Sequence, residues 1–204
     1  MIDPFAGIGA APPDAVFGIV DRFNKAVQAW KTECEKAGMP ETGPAEDTKP
    51  ISLVVGAYRD EHGEPWVLPT VRGVEKEMAD DQMFDHEYLK IIGLPEFLQA
   101  TQKLIFGVVD ENISTVQTLS GTGALFVGFS FLHTLLDFHK VYIPDPTWPN
   151  HPNVAHQAEI EDVVKYPYYD SEHNVVRFEE MIHSLETAAP NSVIILHPCA
   201  HNPT

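Results

Sequence analysis

Apolar positions along the chain change period several times, and each change predicts an element. Val16, Phe17, Val20, Phe23, Val27 and Trp30 recur at helical spacing. They predict a helix that starts behind Asp14 as N-cap and stops at Gly38. The polar, proline-rich stretch MPETGPAEDTKP predicts a loop, ISLVVGAYRD a strand, and DEHGEPW a turn. From Pro69 onward helices and strands alternate. TVRGVEKEMADD reads as a helix. LPEFLQATQKLIFG reads as a second, with Pro95 in its first turn, Phe97, Leu98, Thr101, Leu104 and Ile105 on one face, and Gly107 closing it. STVQTL predicts a strand, and ALFVGFSFLHTLLDF a helix apolar almost all round and therefore buried. KVYIPDP and DVVKYPYYD predict strands, RFEEMIHSLETA an amphipathic helix, and NSVIILHPC a buried strand. The alternation implies an α/β fold with a mostly parallel sheet. No internal repeat or low-complexity segment interrupts it.

The glycine-, alanine- and proline-rich residues 1–13 read as an extended arm ahead of the first helix, with Phe5 and Ile8 as candidate anchors on a neighbour. The N-terminus has neither a basic segment nor a long apolar run, so a soluble cytoplasmic protein is expected. At the other end, HPCAHNPT follows directly on a strand that needs a crossover to reach its neighbours. The chain is therefore expected to continue beyond Thr204.

Composition narrows the partners. The chain has 204 residues and is 44% hydrophobic, enough for a substantial core. Thirteen basic residues stand against 30 acidic ones, a net charge of −17. Nucleic acid and anionic membranes need a basic surface and are excluded as main partners. A small anionic ligand is not excluded, because a local site can oppose the global charge. Cys34 and Cys199 read as two free thiols.

The stretch TLSGTGAL carries the first candidate chemistry. A glycine-rich junction between strand and helix presents backbone N–H groups at the positive end of the helix dipole, which suits an anion. Ser120 and Thr122 add hydroxyls. A nucleotide P-loop would require a Lys-Ser/Thr pair, which is absent. The dinucleotide fingerprint fails at its third glycine, where Phe126 stands, so a nicotinamide dehydrogenase is disfavoured. A compact cup for a monophosphate cofactor and a plain tight turn both remain open on this stretch alone. PDPTWPNH places Trp148 in a loop after a strand, where an indole can either stack on a cofactor or cover the core edge. His197, His201 and Asn202 follow another strand. In α/β sheets ligands bind at that carboxyl edge, so the three loops are candidates for one site. The four-residue spacing of His197 and His201 would suit a metal only on a helix, and Pro198 interrupts one; no metal site is expected. No Gly-x-Ser-x-Gly elbow supports a serine hydrolase.

Taken in order, APPDAVFG, VVGAYRDEHGEPWVLPTV, HEYLKIIGLPEF, TVQTLSGTGAL, PTWPNH and LHPCAHNPT resemble the aspartate aminotransferases, class I enzymes of fold type I that use pyridoxal 5′-phosphate. The resemblance runs from about residue 10 to the end and matches the N-terminal half of that family. It implies a three-layer α/β/α large domain with a mostly parallel sheet, plus part of a small domain. On that reading residues 1–13 are the arm, 14–65 part of the small domain, and 66–204 the first half of the cofactor-binding domain.

The resemblance also implies roles. Ser120, Gly121 and Thr122 would cup the cofactor phosphate, and Tyr88 would reach the phosphate in the other subunit of a homodimer with shared sites. Trp148 would stack on the pyridine ring and touch the substrate carboxylate. Asn202 would bond the ring's phenolic oxygen and help hold that carboxylate. Gly56 would offer its backbone to the carboxylate, and Val16 would line the entrance. His151 and His197 would lie behind these contacts. The family's lysine that bonds the cofactor lies past Thr204, so no catalytic residue is assigned here and this segment alone is not expected to be active. Pro149, Val54 and Pro198 depart from the family pattern and affect local loop geometry. The implied activity is amino transfer from aspartate to 2-oxoglutarate, giving oxaloacetate and glutamate. The alternatives are an aromatic-amino-acid aminotransferase of the same class, or a non-catalytic fragment acting as a binding or dimerising module.

Overall fold

A computed structural model describes residues 7, 9, 15–39, 48–54 and 56–204, without the side chains of 15–17. Two compact units divide the chain, Met1–His86 and Glu87–Thr204. In the first, helix α1 spans Ala15–Ala37. Gly38 ends it at φ +64, a conformation only glycine adopts without cost. Trp30 and Cys34, one turn apart, are its buried residues, and Trp30 Nε1 donates to Thr48 Oγ1 at 3.0 Å. The expected cap Asp14, the arm anchors Phe5 and Ile8, and most of the 39–50 loop lie outside the described residues.

The strand expected at 51–60 does not form among the described residues. Extended backbone becomes a strand only with a partner for its N–H and C=O groups. Here the ladder is reduced to one antiparallel bridge, Arg59 to Pro65. That bridge closes the expected turn. The Asp60 carboxylate accepts from the N–H groups of His62 and Glu64, both at 2.9 Å. These backbone donors, Glu64 first, hold it below the ordinary carboxylate range. Helix α2, Pro69–Asp80, forms where TVRGVEKEMADD predicts it, with Pro69 added at its start.

The second unit opens with an exposed segment and helix α3, Pro95–Phe106, which Gly107 ends at φ +73. The α3 face differs from the expected one. Leu98 and Gln102 are its buried residues, while Leu104 and Ile105 are exposed. Gln102 turns inward because its amide is fully used. Nε2 donates to Ile113 O and Thr115 Oγ1, both at 2.8 Å, and Oε1 accepts from Asp110 N at 3.2 Å. Residues 114–119 run extended but pair with no strand among the described residues, contrary to expectation.

Helix α4, Ser120–Leu136, starts on the glycine-rich stretch itself, so Ser-Gly-Thr-Gly is its first turn and not a loop before it. The expected all-round burial is also corrected. Phe129 is 2% exposed, but Phe126, Val127, Phe131 and Leu135 are 44–69% exposed. A helix lying across one layer buries one stripe, whatever the composition of the remainder.

That layer is a three-stranded parallel sheet in the order β2-β1-β5. Strand β1 is Lys140–Asp145, β2 Asp162–Pro167 and β5 Ser192–Ile194. Register is set by Lys140 opposite Asp162 and Ser192. Central β1 is buried over Val141–Pro144. Alternation sends Val141 and Ile143 to one face, where they join Phe129 of α4 and Val154, Ala155, Ala158 and Ile160 of α5 (Asn150–Gln157) and its exit. Tyr142 points to the opposite face, where its hydroxyl accepts from Ala189 N at 3.2 Å just after helix α6, Phe178–Glu186. Helices thus cover both faces of the sheet, the three-layer arrangement of the expected fold class. Strand β5 is half-buried, not buried, because it pairs on one side only. The expected strand DVVKYPYYD splits. Its second part becomes β3, Tyr169–Asp170, in an antiparallel hairpin with β4, Val175–Val176.

One-sided burial of α4 has a measurable consequence. In the 204-residue chain, Phe129→Ala should cost about 3–5 kcal/mol in urea denaturation. Phe131→Ala, half a turn round, should cost about 0.5 kcal/mol. Equal losses would contradict the packing described.

Candidate functional site

Three chain segments meet at the carboxyl edge of the parallel sheet. The first is the N-terminal turn of α4. Leu119 stands at its N-cap with no side-chain cap, and the first helical bond runs from Gly123 N to Leu119 O at 3.1 Å. The N–H groups of Ser120, Gly121 and Thr122 precede that bond and have no acceptor within the helix. Ser120 is held at φ +60, an uncommon conformation for a side-chain-bearing residue. Such outliers collect at ligand sites, where surrounding structure over-determines them. A Cβ built on Gly121 meets nothing within 4 Å, so the approach to the turn is open.

The second segment leaves β1 through Trp148 into α5. Trp148 O accepts from His151 N at 3.0 Å, which starts the helix. Asn150 Nδ2 donates to Thr122 Oγ1 at 3.4 Å, a direct tie between this loop and the α4 turn. The third segment leaves β5 through His197 to Asn202. Thr147 joins it to the second, with its hydroxyl 2.6 Å from His151 Nδ1 and 3.5 Å from His197 Nε2.

Proton positions along this row follow from one backbone donor. Asn202 N–H donates to His197 Nδ1 at 3.2 Å, so that nitrogen carries no proton. A neutral His197 then bears its proton on Nε2, facing the Thr147 oxygen. The Thr147 hydroxyl in turn gives its own proton to His151 Nδ1. Every member is satisfied only if both imidazoles are neutral. Their environment agrees. Burial, and after it the positive charge that His197 and His201 would carry, hold His151 below its ordinary value. Burial does the same to His197.

The rings continue as a row. Trp148 meets His151 edge-on at 5.5 Å, and His151 meets His197 at 4.9 Å. His197 stacks on His201 at 3.9 Å, and His201 on Tyr168 at 3.8 Å. The stacked His197 and His201 faces explain the four-residue spacing without a metal. His201 Nε2 is buried with no hydrogen-bond partner among the described residues. Beside it lies an open cavity of about 540 Å³ walled by Tyr166, Tyr168, Met181, Leu196 and Pro198 with the two histidines. Burial, then Tyr168, push the Tyr166 hydroxyl up to about 12, and it donates to Ile195 O at 2.7 Å.

Of the residues anticipated from sequence, Thr122, His151, His197 and Asn202 are joined by this network, with Ser120 and Gly121 in the same turn and Trp148 on the same loop. Tyr88 lies fully exposed in the same unit and makes no contact with them among the described interactions. Gly56 belongs to the first unit and is exposed, and Val16 lies in α1 with its side chain outside the described residues. The sequence assigns no role to Thr147, Asn150 or Tyr168. The PTWPNH motif contained the first two, but only the fold shows which atoms they join.

The donor set suits a ring that carries a phosphate. Helix N–H groups without an intrahelical acceptor and two hydroxyls would suit an anion, an indole stands one loop away, and an amide side chain is exposed on the third segment. Comparison with known proteins agrees. Residues 48–204 match the family model of aminotransferase class I and II. A cytoplasmic aspartate aminotransferase of Caenorhabditis elegans is 39% identical over 98% of this chain and 46% of its own length. A broad-specificity aminotransferase from Leishmania mexicana superposes with TM-score 0.81 at 37% identity, over 98% of this chain and 45% of that one. An aromatic-amino-acid aminotransferase from Burkholderia pseudomallei, covalently bound to pyridoxal phosphate, gives 0.80 at 36% identity, over 100% and 47%. The chain spans about half the length of the curated relatives it matches.

The neutral imidazole row predicts a pH response. The unfolded chain takes up protons near the ordinary histidine value of about 6.5. The folded row does so only at lower pH, because its values are depressed. Stability is therefore fully present above about pH 6.5 and is lost as pH falls through the depressed values. Urea midpoints should drop on acidification through this window, and His151→Gln should flatten the slope. An unchanged slope in that variant would contradict the neutral assignment.

Proposed function

The chain belongs to the class I and II aminotransferase family, and on that footing we propose that the whole protein is an aspartate aminotransferase, in which this chain supplies the phosphate-binding half of the site. Members of the family use pyridoxal 5′-phosphate. The group supplies an electron sink that makes reversible exchange of an amino group between an amino acid and a 2-oxoacid possible. The reaction proposed is transfer from L-aspartate to 2-oxoglutarate, giving oxaloacetate and L-glutamate, in the cytoplasm.

The observation that carries this reading is the tie from Thr122 through Asn150 to the loops of Trp148 and Asn202. It supports reading the helix start as an anion site and the indole as a ring-stacking group at one sheet edge. Ser120, Gly121 and Thr122 hold the phosphate through backbone N–H and hydroxyl donors. Trp148 covers the ring and excludes water from one side. Asn202 donates its side-chain amide to the ring oxygen and the substrate carboxylate. Thr147, His151 and His197 act from behind, keeping Trp148 and Asn202 in place as a neutral hydrogen-bonded row. Gly56 receives the α-carboxylate and Val16 lines the entrance, from the small domain that we place at 14–65. The complete exposure of Tyr88 supports its assignment to the other subunit's phosphate in a homodimer.

An aromatic substrate is the second reading, favoured by the likeness to aromatic-amino-acid aminotransferases among the solved structures. Assays of the full polypeptide with 2-oxoglutarate separate the two. The proposal predicts that aspartate turns over faster than phenylalanine or tyrosine. Cofactor-loaded protein that prefers the aromatic substrates selects the second reading, and protein that exchanges no amino group contradicts both. Asn202→Ala should weaken aspartate binding by about 1.5–3 kcal/mol, the range for a hydrogen bond to a charged group. An unchanged KM would remove Asn202 from the substrate contact.

A further inference from the structure

Gln117 lies three residues before α4 and makes two hydrogen bonds to one short segment. Its backbone N–H donates to Ile92 O at 2.8 Å. Its side-chain Oε1 accepts from Leu94 N at 3.0 Å. Between those two residues sits Gly93, buried and at φ +104. A Cβ on Gly93 would overlap the Gln117 Cβ and stand 2.7 Å from Oε1. Glycine is required here twice over, for its backbone angle and for the close approach. Gly93 N also donates to Lys90 O at 2.8 Å, which closes the turn that follows Tyr88.

The clasp therefore connects two chain segments of the proposed site. One end is the backbone that delivers Ser120 to the first turn of α4. The other is the turn whose preceding residues include Tyr88. Tyr88 is fully exposed and has no packing of its own to fix it. Its position must be inherited from the backbone that follows it, and that backbone is pinned at Ile92 and Leu94.

We propose that Gln117 is a positioning residue that sets Tyr88 against the α4 turn, so that each subunit presents its tyrosine to the partner's phosphate at a fixed reach. The inference rests on the reading of Tyr88 given above. It goes beyond that reading by assigning the amide of Gln117, whose partner is Leu94 N, to the stability of the neighbouring subunit's site.

The test is a double-mutant cycle on the rate of cofactor loss from the dimeric holoenzyme of the full polypeptide. Gln117→Met keeps the side-chain length and removes the acceptor. Gln117→Glu keeps an acceptor for Leu94 N–H. Tyr88→Phe removes the hydroxyl that the clasp would position. Tyr88→Phe should speed cofactor loss. Gln117→Met should speed it about two- to tenfold, the effect of one neutral hydrogen bond. Gln117→Glu should stay near the parent rate. In the Tyr88→Phe background, Gln117→Met should add nothing, because residues acting through one contact are not additive. Hydrogen exchange at the Leu94 amide should quicken in Gln117→Met and not in Gln117→Glu. Parent-like cofactor loss in Gln117→Met overturns the inference and leaves the Tyr88 reading intact. Multiplying effects in the double variant do the same, since Gln117 would then act elsewhere. No effect of Tyr88→Phe itself removes the reading, and the inference falls with it.

Discussion

The structure of the second unit depends on the burial of one strand. Val141 and Ile143 have essentially no exposed surface, and β1 pairs in parallel on both sides. A parallel neighbour cannot be reached by a tight turn, so each connection must cross over and return in the same direction. The carboxyl ends of β1 and β5 consequently lie at the same edge. The loops leaving that edge bring Trp148 and Asn202 into the same neighbourhood without any direct attraction between them. Helix α4 is held by Phe129 against the same face of β1, and this fixes where its first turn points. The candidate site is thus a result of core packing, and its polar ties refine positions that burial has already chosen.

Charge acts locally against the global balance. A chain with net charge −17 is an unpromising host for a phosphate dianion. Backbone N–H groups at a helix start provide positive potential without a basic side chain, and their effect is confined to the first turn. Neutral imidazoles behind the site complement this arrangement. A protonated His197 would lose the Asn202 N–H bond, and its charge would face His151 and His201 at close range. Burial makes all three harder to charge.

Periodicity made most helices of this chain legible. Helices α1 and α3 end at the glycines that mark their stops, Gly38 and Gly107. The site motifs were legible as an ordered set through their resemblance to a known family; taken singly, the glycine run also fitted a tight turn and the tryptophan a cover for the core edge. Three things were not legible. The segments at 51–60 and 114–119 have strand composition, but a strand exists only when a partner is present to accept its hydrogen bonds. The apolar surface of α4 was read as burial, yet composition cannot say how many neighbours a helix will have. Gln117 and Thr147 look like ordinary polar residues, and their importance lies in contacts to residues 23 to 50 positions away.

The central claim is that the first turn of α4 holds the phosphate of pyridoxal 5′-phosphate through backbone and hydroxyl donors. Phosphorus NMR of the cofactor-loaded full polypeptide tests this directly. A free phosphate monoester takes up its second proton near pH ~6. Donors fixed on the dianion lower that value, so the bound resonance should stay constant from roughly pH 5.5 to 8, and titration should reappear in a Ser120→Ala, Thr122→Ala double variant. A bound phosphate that titrates near pH ~6 in the parent protein, as the free group does, would show that the α4 turn does not hold it.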